Sequence, residues 1–284
     1  MTPPVSTQFA FTAAQSNCTW ADLAELWDVG DGLDVFEIGW VYDHFYPLRT
    51  GPEEPTLEGW STLAMLLART RRLRGGVLVT GIPFRHPAVL AKMAVTVDVA
   101  SGGRLELGLG AGWFEPECTA YGIELGPIPE RFARFEEALT IIRSLLTQPT
   151  TSFEGRYYRL QEAWCEPKAT QQPHPPIVLG GKGERRLLPL VARYADRWNY
   201  SGDDVTEFIR LRDRLAELCE SEGRRLEDVT LSANVRPSLD DTRAVTDQVV
   251  AYVDAGVQLV CVLLPRPYDP RLLEQLAPTL NDLR

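Results

Sequence analysis

Ser101-Gly102-Gly103-Arg104-Leu105-Glu106-Leu107-Gly108-Leu109-Gly110-Ala111-Gly112-Trp113-Phe114-Glu115-Pro116-Glu117 is the stretch on which the fold turns. Gly102-Gly103 reads as a tight turn and residues 104–109 as a short strand. Gly108, Gly110 and Gly112 then give backbone free to bend where a side chain would obstruct it. A strand whose end dissolves into glycines beside an aromatic and two acids suits a flat or phosphorylated ligand at the mouth of an α/β sheet. Two competing readings are a purely structural glycine turn and a dinucleotide fingerprint. The fingerprint requires the glycines to open a helix, and residues 113–116 do not read as one.

Working outward, apolar runs and periodic stretches alternate along the chain. Strands are expected at residues 8–12, 35–41, 75–80, 104–109, 177–180, 197–199, 229–235 and 258–264. Helices are expected between them: 20–27 behind an N-cap at Thr19, 57–71, 87–100 with Pro87 near its first position, and 131–146 with Phe132, Phe135, Leu139 and Ile142 on one face. Further helices cover 184–194, 205–222, 243–255 closed by Gly256, and 271–283. Residues 151–160 form a small hairpin outside the main sheet, and 167–176 a proline-rich loop. Eight strands in alternation with helices predict a (β/α)8 TIM barrel with short insertions, one domain over residues 1–284, rather than a doubly wound sheet. In such a barrel the site lies at the C-terminal strand ends, where Tyr42-Asp43-His44, Gly81 and the glycines after Leu109 converge.

The totals narrow the function. A net charge of −10 over 284 residues argues against nucleic acid or an anionic membrane as the main partner, and the 44% hydrophobic share is that of a soluble globular protein. The start, Met1-Thr2-Pro3-Pro4-Val5, has neither a basic nor an apolar leader region, and no run is long enough to span a membrane, so a cytoplasmic location is expected. Five scattered cysteines without a Cys-x-x-Cys read as reduced packing or surface residues, and three dispersed histidines form no metal-ligand pair, so no metal is expected. His44, at the end of a strand, is the candidate for proton transfer, since imidazole titrates near neutrality. Alone, it reads as a structural histidine. Asp43 beside it would orient or charge the ring or bind a cofactor, although neighbouring strand residues point to opposite faces, which makes a direct bond between the two doubtful. Glu115 is read as approaching the substrate or as solvated. Trp113 and Trp198 are read as walls of the pocket or as core.

Four motifs in order carry a family resemblance: Val41-Tyr42-Asp43-His44-Phe45; Phe84-Arg85-His86-Pro87; Asp98 through Gly112; and Leu179-Gly180-Gly181-Lys182-Gly183-Glu184 running into Ala192-Arg193-Tyr194-Ala195-Asp196. Together they resemble the luciferase-like monooxygenases and their deazaflavin-dependent relatives, single-domain TIM barrels that bind FMN or coenzyme F420. The match fades over the last third. The resemblance implies a deazaflavin or flavin ring against a bulge in the third strand near Leu78, Val79, Thr80 and Gly81, where relatives often carry a non-prolyl cis peptide. Gly110, Ala111 and Gly112 would line the ring. Gly180, Gly181, Lys182 and Gly183 would hold the phosphate on amides at a helix N-terminus, with Lys182 adding charge. Leu48 stands where sugar-phosphate-oxidising relatives carry tryptophan, so a sugar phosphate is not implied.

The implied activity is hydride transfer between coenzyme F420 and a small organic substrate, with Asp43 and His44 as catalytic residues and His44 moving the proton. An FMN-dependent monooxygenase served by a separate reductase is the first alternative, and a non-catalytic flavin-binding protein the second. A homodimer is implied by the resemblance alone.

Overall fold

A computed structural model describes residues 7–48, 50–237 and 242–284, with the side chains of 242–244 excepted; the leader reading at residues 1–5 lies outside them. The barrel strands are β1 (Gln8–Thr12), β2 (Phe36–Val41), β3 (Arg74–Val77) with β4 (Thr80–Gly81), β5 (Leu105–Gly110), β8 (Ile177–Gly180), β9 (Arg197–Tyr200), β10 (Thr230–Val235) and β11 (Leu259–Leu263). All their pairings are parallel, and β3 and β4 both join β5 while β1 joins β11, so the sheet closes into the expected (β/α)8 barrel. The helices are α1 (Trp20–Gly32), α2 (Gly59–Arg69), α3 (Pro87–Ser101), α4 (Glu115–Ala120), α5 (Ile128–Thr147), α6 (Leu187–Tyr194), α7 (Val205–Ser221), α8 (Thr242–Asp254) and α9 (Arg271–Asn281). The antiparallel hairpin β6 (Thr150–Glu154) and β7 (Arg159–Trp164) stands outside the barrel.

Local signals explain most boundaries. Thr19 caps α1 reciprocally with Asp22, His86 caps α3 through its ring, and Gly102 ends α3 at φ 70°. Three expectations need correction. The third strand is not continuous over 75–80. Four steps from Gly76 to Thr80 face three from Glu106 to Leu109, so one residue bulges at Leu78-Val79, whose peptide is cis. Residues 113–116 do lead into a helix: Pro116 sits in the first turn of α4, where a missing N–H leaves no bond unmade. Finally, α6 begins at Leu187 rather than residue 184.

The larger core lies between strands and helices, built on Phe9, Phe11, Trp27, Phe135, Trp198 and Phe208. A smaller one fills the barrel axis with Ala10, Ile38, Trp40, Val178, Leu259 and Cys261. The barrel is therefore plugged at mid-height. Burial pushes the Cys261 thiol up to about 12, as befits a packing residue. Below the plug, fully buried Glu106 is ion-paired with Arg74 (2.6 Å) and Arg197 (3.0 Å). Above it the axis opens.

Candidate active site

At the C-terminal end of the strands a cavity of about 590 Å³ is enclosed by the ends of β2, β3/β4, β5, β8, β9, β10 and β11. Its floor follows from the pattern of inward positions. On β5 and β8 the inward residues near the mouth are Gly108, Gly110 and Gly180, and the bulge turns Val79 towards all three. A Cβ at Gly110 would stand 2.5 Å from Val79 Cγ2, and one at Gly180 3.0 Å from Val79 Cγ1. The glycines thus make room for Val79, and Leu78-Val79 becomes a low apolar shelf. Gly112, at φ 81° with Pro83 close behind it, turns the chain out of the barrel.

Asp43 and His44 both line this cavity and face different partners. The Asp43 carboxylate takes both arms of Arg85 (2.6 and 3.0 Å) and the Gly81 N–H (2.9 Å). Burial raises its pKa, against the pull of Arg85 and that amide. It therefore fixes the start of the β4 turn and is not bonded to His44. His44 Nδ1 lies 2.9 Å from Glu117 Oε2, while Glu117 Oε1 accepts from the backbone N–H groups of Phe45 and of Tyr46, the latter at 3.2 Å. Glu117 is fully buried. With its other oxygen already accepting two N–H bonds, its place opposite Nδ1 is that of an acceptor, so His44 donates from Nδ1 and keeps Nε2 free of Glu117. Gln15 clasps the Tyr42 main chain from behind, through its N–H (3.0 Å) and its carbonyl (2.8 Å).

Of the expected cofactor positions, Leu78, Val79, Gly81, Gly110, Ala111, Gly112 and Gly180, Gly181, Lys182, Gly183 all line the cavity. Thr80 does not: its hydroxyl points outward and accepts from Trp60 Nε1 at 3.1 Å. The glycine loop is also more committed than expected. Gly181 N–H donates to Asn199 O (2.9 Å), its carbonyl takes the Trp198 indole (2.9 Å), and Lys182 is ion-paired with Glu207 (2.9 Å). An anion there is left the amides from Lys182 onward. Trp198 belongs to the core, whereas Trp113 stands at the cavity wall.

Glu115 is exposed and takes no part; the acid that reaches the site is Glu117, two residues on. Arg85 lies within one of the four motifs, and its role emerges only from its contact with Asp43. Asn199, Ser201, Asn234 and Arg236 also line the cavity. They occupy alternate positions at and beyond the ends of β9 and β10, so the two-residue period of those strands is the signal that points to them.

The fold and its mouth define a parallel barrel whose cavity has a glycine-floored apolar shelf beside one carboxylate-held histidine. The chain belongs to the luciferase-like monooxygenase family, whose model matches residues 18–277. It is 33% identical over 217 residues to an F420-dependent glucose-6-phosphate dehydrogenase of Amycolatopsis mediterranei (strain U-32), a match covering 74% of this chain and 62% of that protein. It is 30% identical over 191 residues to the FMNH(2)-dependent dimethylsulfone monooxygenase of Pseudomonas putida, covering 66% and 52%. The structure of an F420-dependent secondary alcohol dehydrogenase in complex with an F420-acetone adduct superposes with a TM-score of 0.88 at 17% identity, over 98% of this chain and 99% of that one. Among the described residues no helix is long and apolar enough to cross a membrane.

Proposed function

We propose that this chain is a coenzyme F420-dependent oxidoreductase acting on a small organic substrate, with His44 as the proton donor or acceptor. The observation that carries the reading is the His44–Glu117 pair placed beside a shelf cleared by glycines. The residues fit such a cofactor: the shelf at Leu78 and Val79 is apolar, and the loop from Lys182 onward offers main-chain amides for an anionic tail. Bound there, a deazaflavin gives or takes a hydride.

The chain supplies the proton. Glu117 fixes the ring so that Nε2 is the nitrogen available to a substrate oxygen. His44 is only 18% exposed in its side chain, so the proton is held in a largely water-excluded position. Asp43, locked by Arg85, positions the turn that carries Gly81. The relatives named for F420 support this cofactor, while the dimethylsulfone monooxygenase supports FMN as the second reading. The shelf itself accepts either tricyclic ring.

Oxygen separates the two. Incubated anaerobically with reduced F420 and a panel of ketones, the protein is expected to oxidise the cofactor and form the alcohol. Turnover that requires oxygen and reduced FMN would replace this reading with a monooxygenase.

A further inference from the structure

The two sides of the mouth differ chemically. Around the barrel β9 lies opposite β2, so Lys182 after β8, Ser201 after β9 and Arg236 after β10 stand across the opening from His44. The His44 side is apolar. Leu48, Trp113, Phe114 and Ile128 line it, and the imidazole is met edge-on by the rings of Trp113 (5.6 Å), Phe114 (5.8 Å) and Tyr42 (6.5 Å).

The charged groups of this side each have protein partners, although those of Arg131 are neutral carbonyls. Asp43 is paired with Arg85, Glu117 is buried behind His44, and the Arg131 guanidinium donates to the carbonyls of Gly112 (3.1 Å) and Gly126 (3.0 Å). Meanwhile Trp113 is 61% exposed and Ile128 56%, an apolar surface that a ligand in the cavity would cover. This wall is tied to the segment that carries His44. Trp113 and Phe114 lead into α4, which is fastened to the His44 loop by Glu117 and by the packing of Tyr121 against Phe45 (4.7 Å) and Tyr46 (5.6 Å).

Resting on the functional reading above, we infer that the substrate is an uncharged alcohol or carbonyl compound with an aromatic or bulky apolar body, seated on Trp113 with its oxygen towards His44. A phosphate or carboxylate placed there would lose its water against Trp113, Phe114 and Leu48, and Arg131, the cation bordering this wall, has two guanidinium nitrogens already turned to main-chain carbonyls. An aromatic body gains buried area and ring contacts instead. Trp113 is then the residue that sets specificity, and Arg236 across the mouth serves the anionic tail of the cofactor.

The test is calorimetric titration of the F420-loaded protein with acetophenone, with 4-acetylbenzoate, which is the same body bearing a carboxylate, and with glucose 6-phosphate. Acetophenone is expected to bind at least tenfold more tightly than 4-acetylbenzoate, and glucose 6-phosphate more weakly than either. Trp113→Ala should weaken acetophenone at least tenfold with F420 affinity within threefold of the parent, and Trp113→Phe should restore most of the loss. The assignment is overturned if F420 binds but acetophenone does not, if either anion binds more tightly than acetophenone, or if Trp113→Ala leaves acetophenone affinity unchanged. Failure of F420 itself to bind overturns the cofactor reading, and this inference with it.

Discussion

The two ends of the barrel use their charged groups in opposite ways. At the N-terminal end Glu106 is enclosed by Arg74 and Arg197, Arg74 also reaches Gln171 (2.7 Å), and Gln8 donates to Glu37 (2.6 Å). Each of these groups is engaged by a protein partner. At the C-terminal end Asp43 is engaged in the same way by Arg85, but His44 is held by one nitrogen only, and Arg236 and the amides beyond Gly181 border open space. Saturation, rather than the count of charges, separates a plug from a site.

Substitutions should break the two ends differently. The largest effect is expected at the top. His44→Ala should slow single-turnover hydride transfer by about 10²- to 10⁴-fold, the usual contribution of a positioned acid or base. F420 affinity should stay near the parent value, whereas the urea midpoint should fall, because the buried Glu117 carboxylate loses its imidazole partner. Hydride transfer at the parent rate would remove His44 from the mechanism and leave the cofactor reading standing.

At the bottom, Glu106→Ala strands two guanidinium groups inside the barrel and should cost about 3–5 kcal/mol in chemical unfolding. Whatever fraction remains folded should bind F420 normally. Weakened binding in that folded fraction would mean that the mid-barrel plug of Trp40, Val178 and Cys261 does not insulate the two ends.

A smaller effect sharpens the contrast on the site side. Burial opposes ionisation of Glu58, but N–H bonds from Ser61 and Trp60 and the charge of Arg85 outweigh it and hold its pKa below the ordinary carboxylate value. A lowered carboxylate contributes stability that is present above its unfolded pKa and is lost as pH falls through the folded one. As the N-cap of α2, Glu58 should contribute about 1 kcal/mol at neutral pH. Glu58→Ala should therefore lower the urea midpoint at pH 7, and the difference from the parent should close in acid, below the ordinary glutamate range. A difference that persists there would show that the loss is steric rather than ionic.

Much of this architecture is legible in the amino-acid sequence. The first and fifth barrel strands fall on residues 8–12 and 177–180 as expected, because apolar runs there end abruptly in polar residues or glycine. The glycines of the cavity floor are legible as runs that end strands, while the reason for Gly110 and Gly180, Val79 at 2.5 and 3.0 Å from a Cβ there, is not. What escapes a reading of the sequence depends on long-range geometry. Gly75 and Gly76 read as ordinary strand residues, yet Trp27 crowds the first and the Glu106 carbonyl and Trp40 crowd the second, and the bulge that follows reorients Val79. Pro116 reads as a breaker although it starts a helix. Glu117 lies 73 residues from His44 in sequence, and no local spacing distinguishes it from Glu115.

Whether the shelf and glycine loop hold a deazaflavin is decided by titrating the purified protein separately with coenzyme F420 and with FMN while following tryptophan fluorescence. Tight, saturable quenching by F420 and weak quenching by FMN are expected. Tight FMN binding with no response to F420 would contradict the deazaflavin reading.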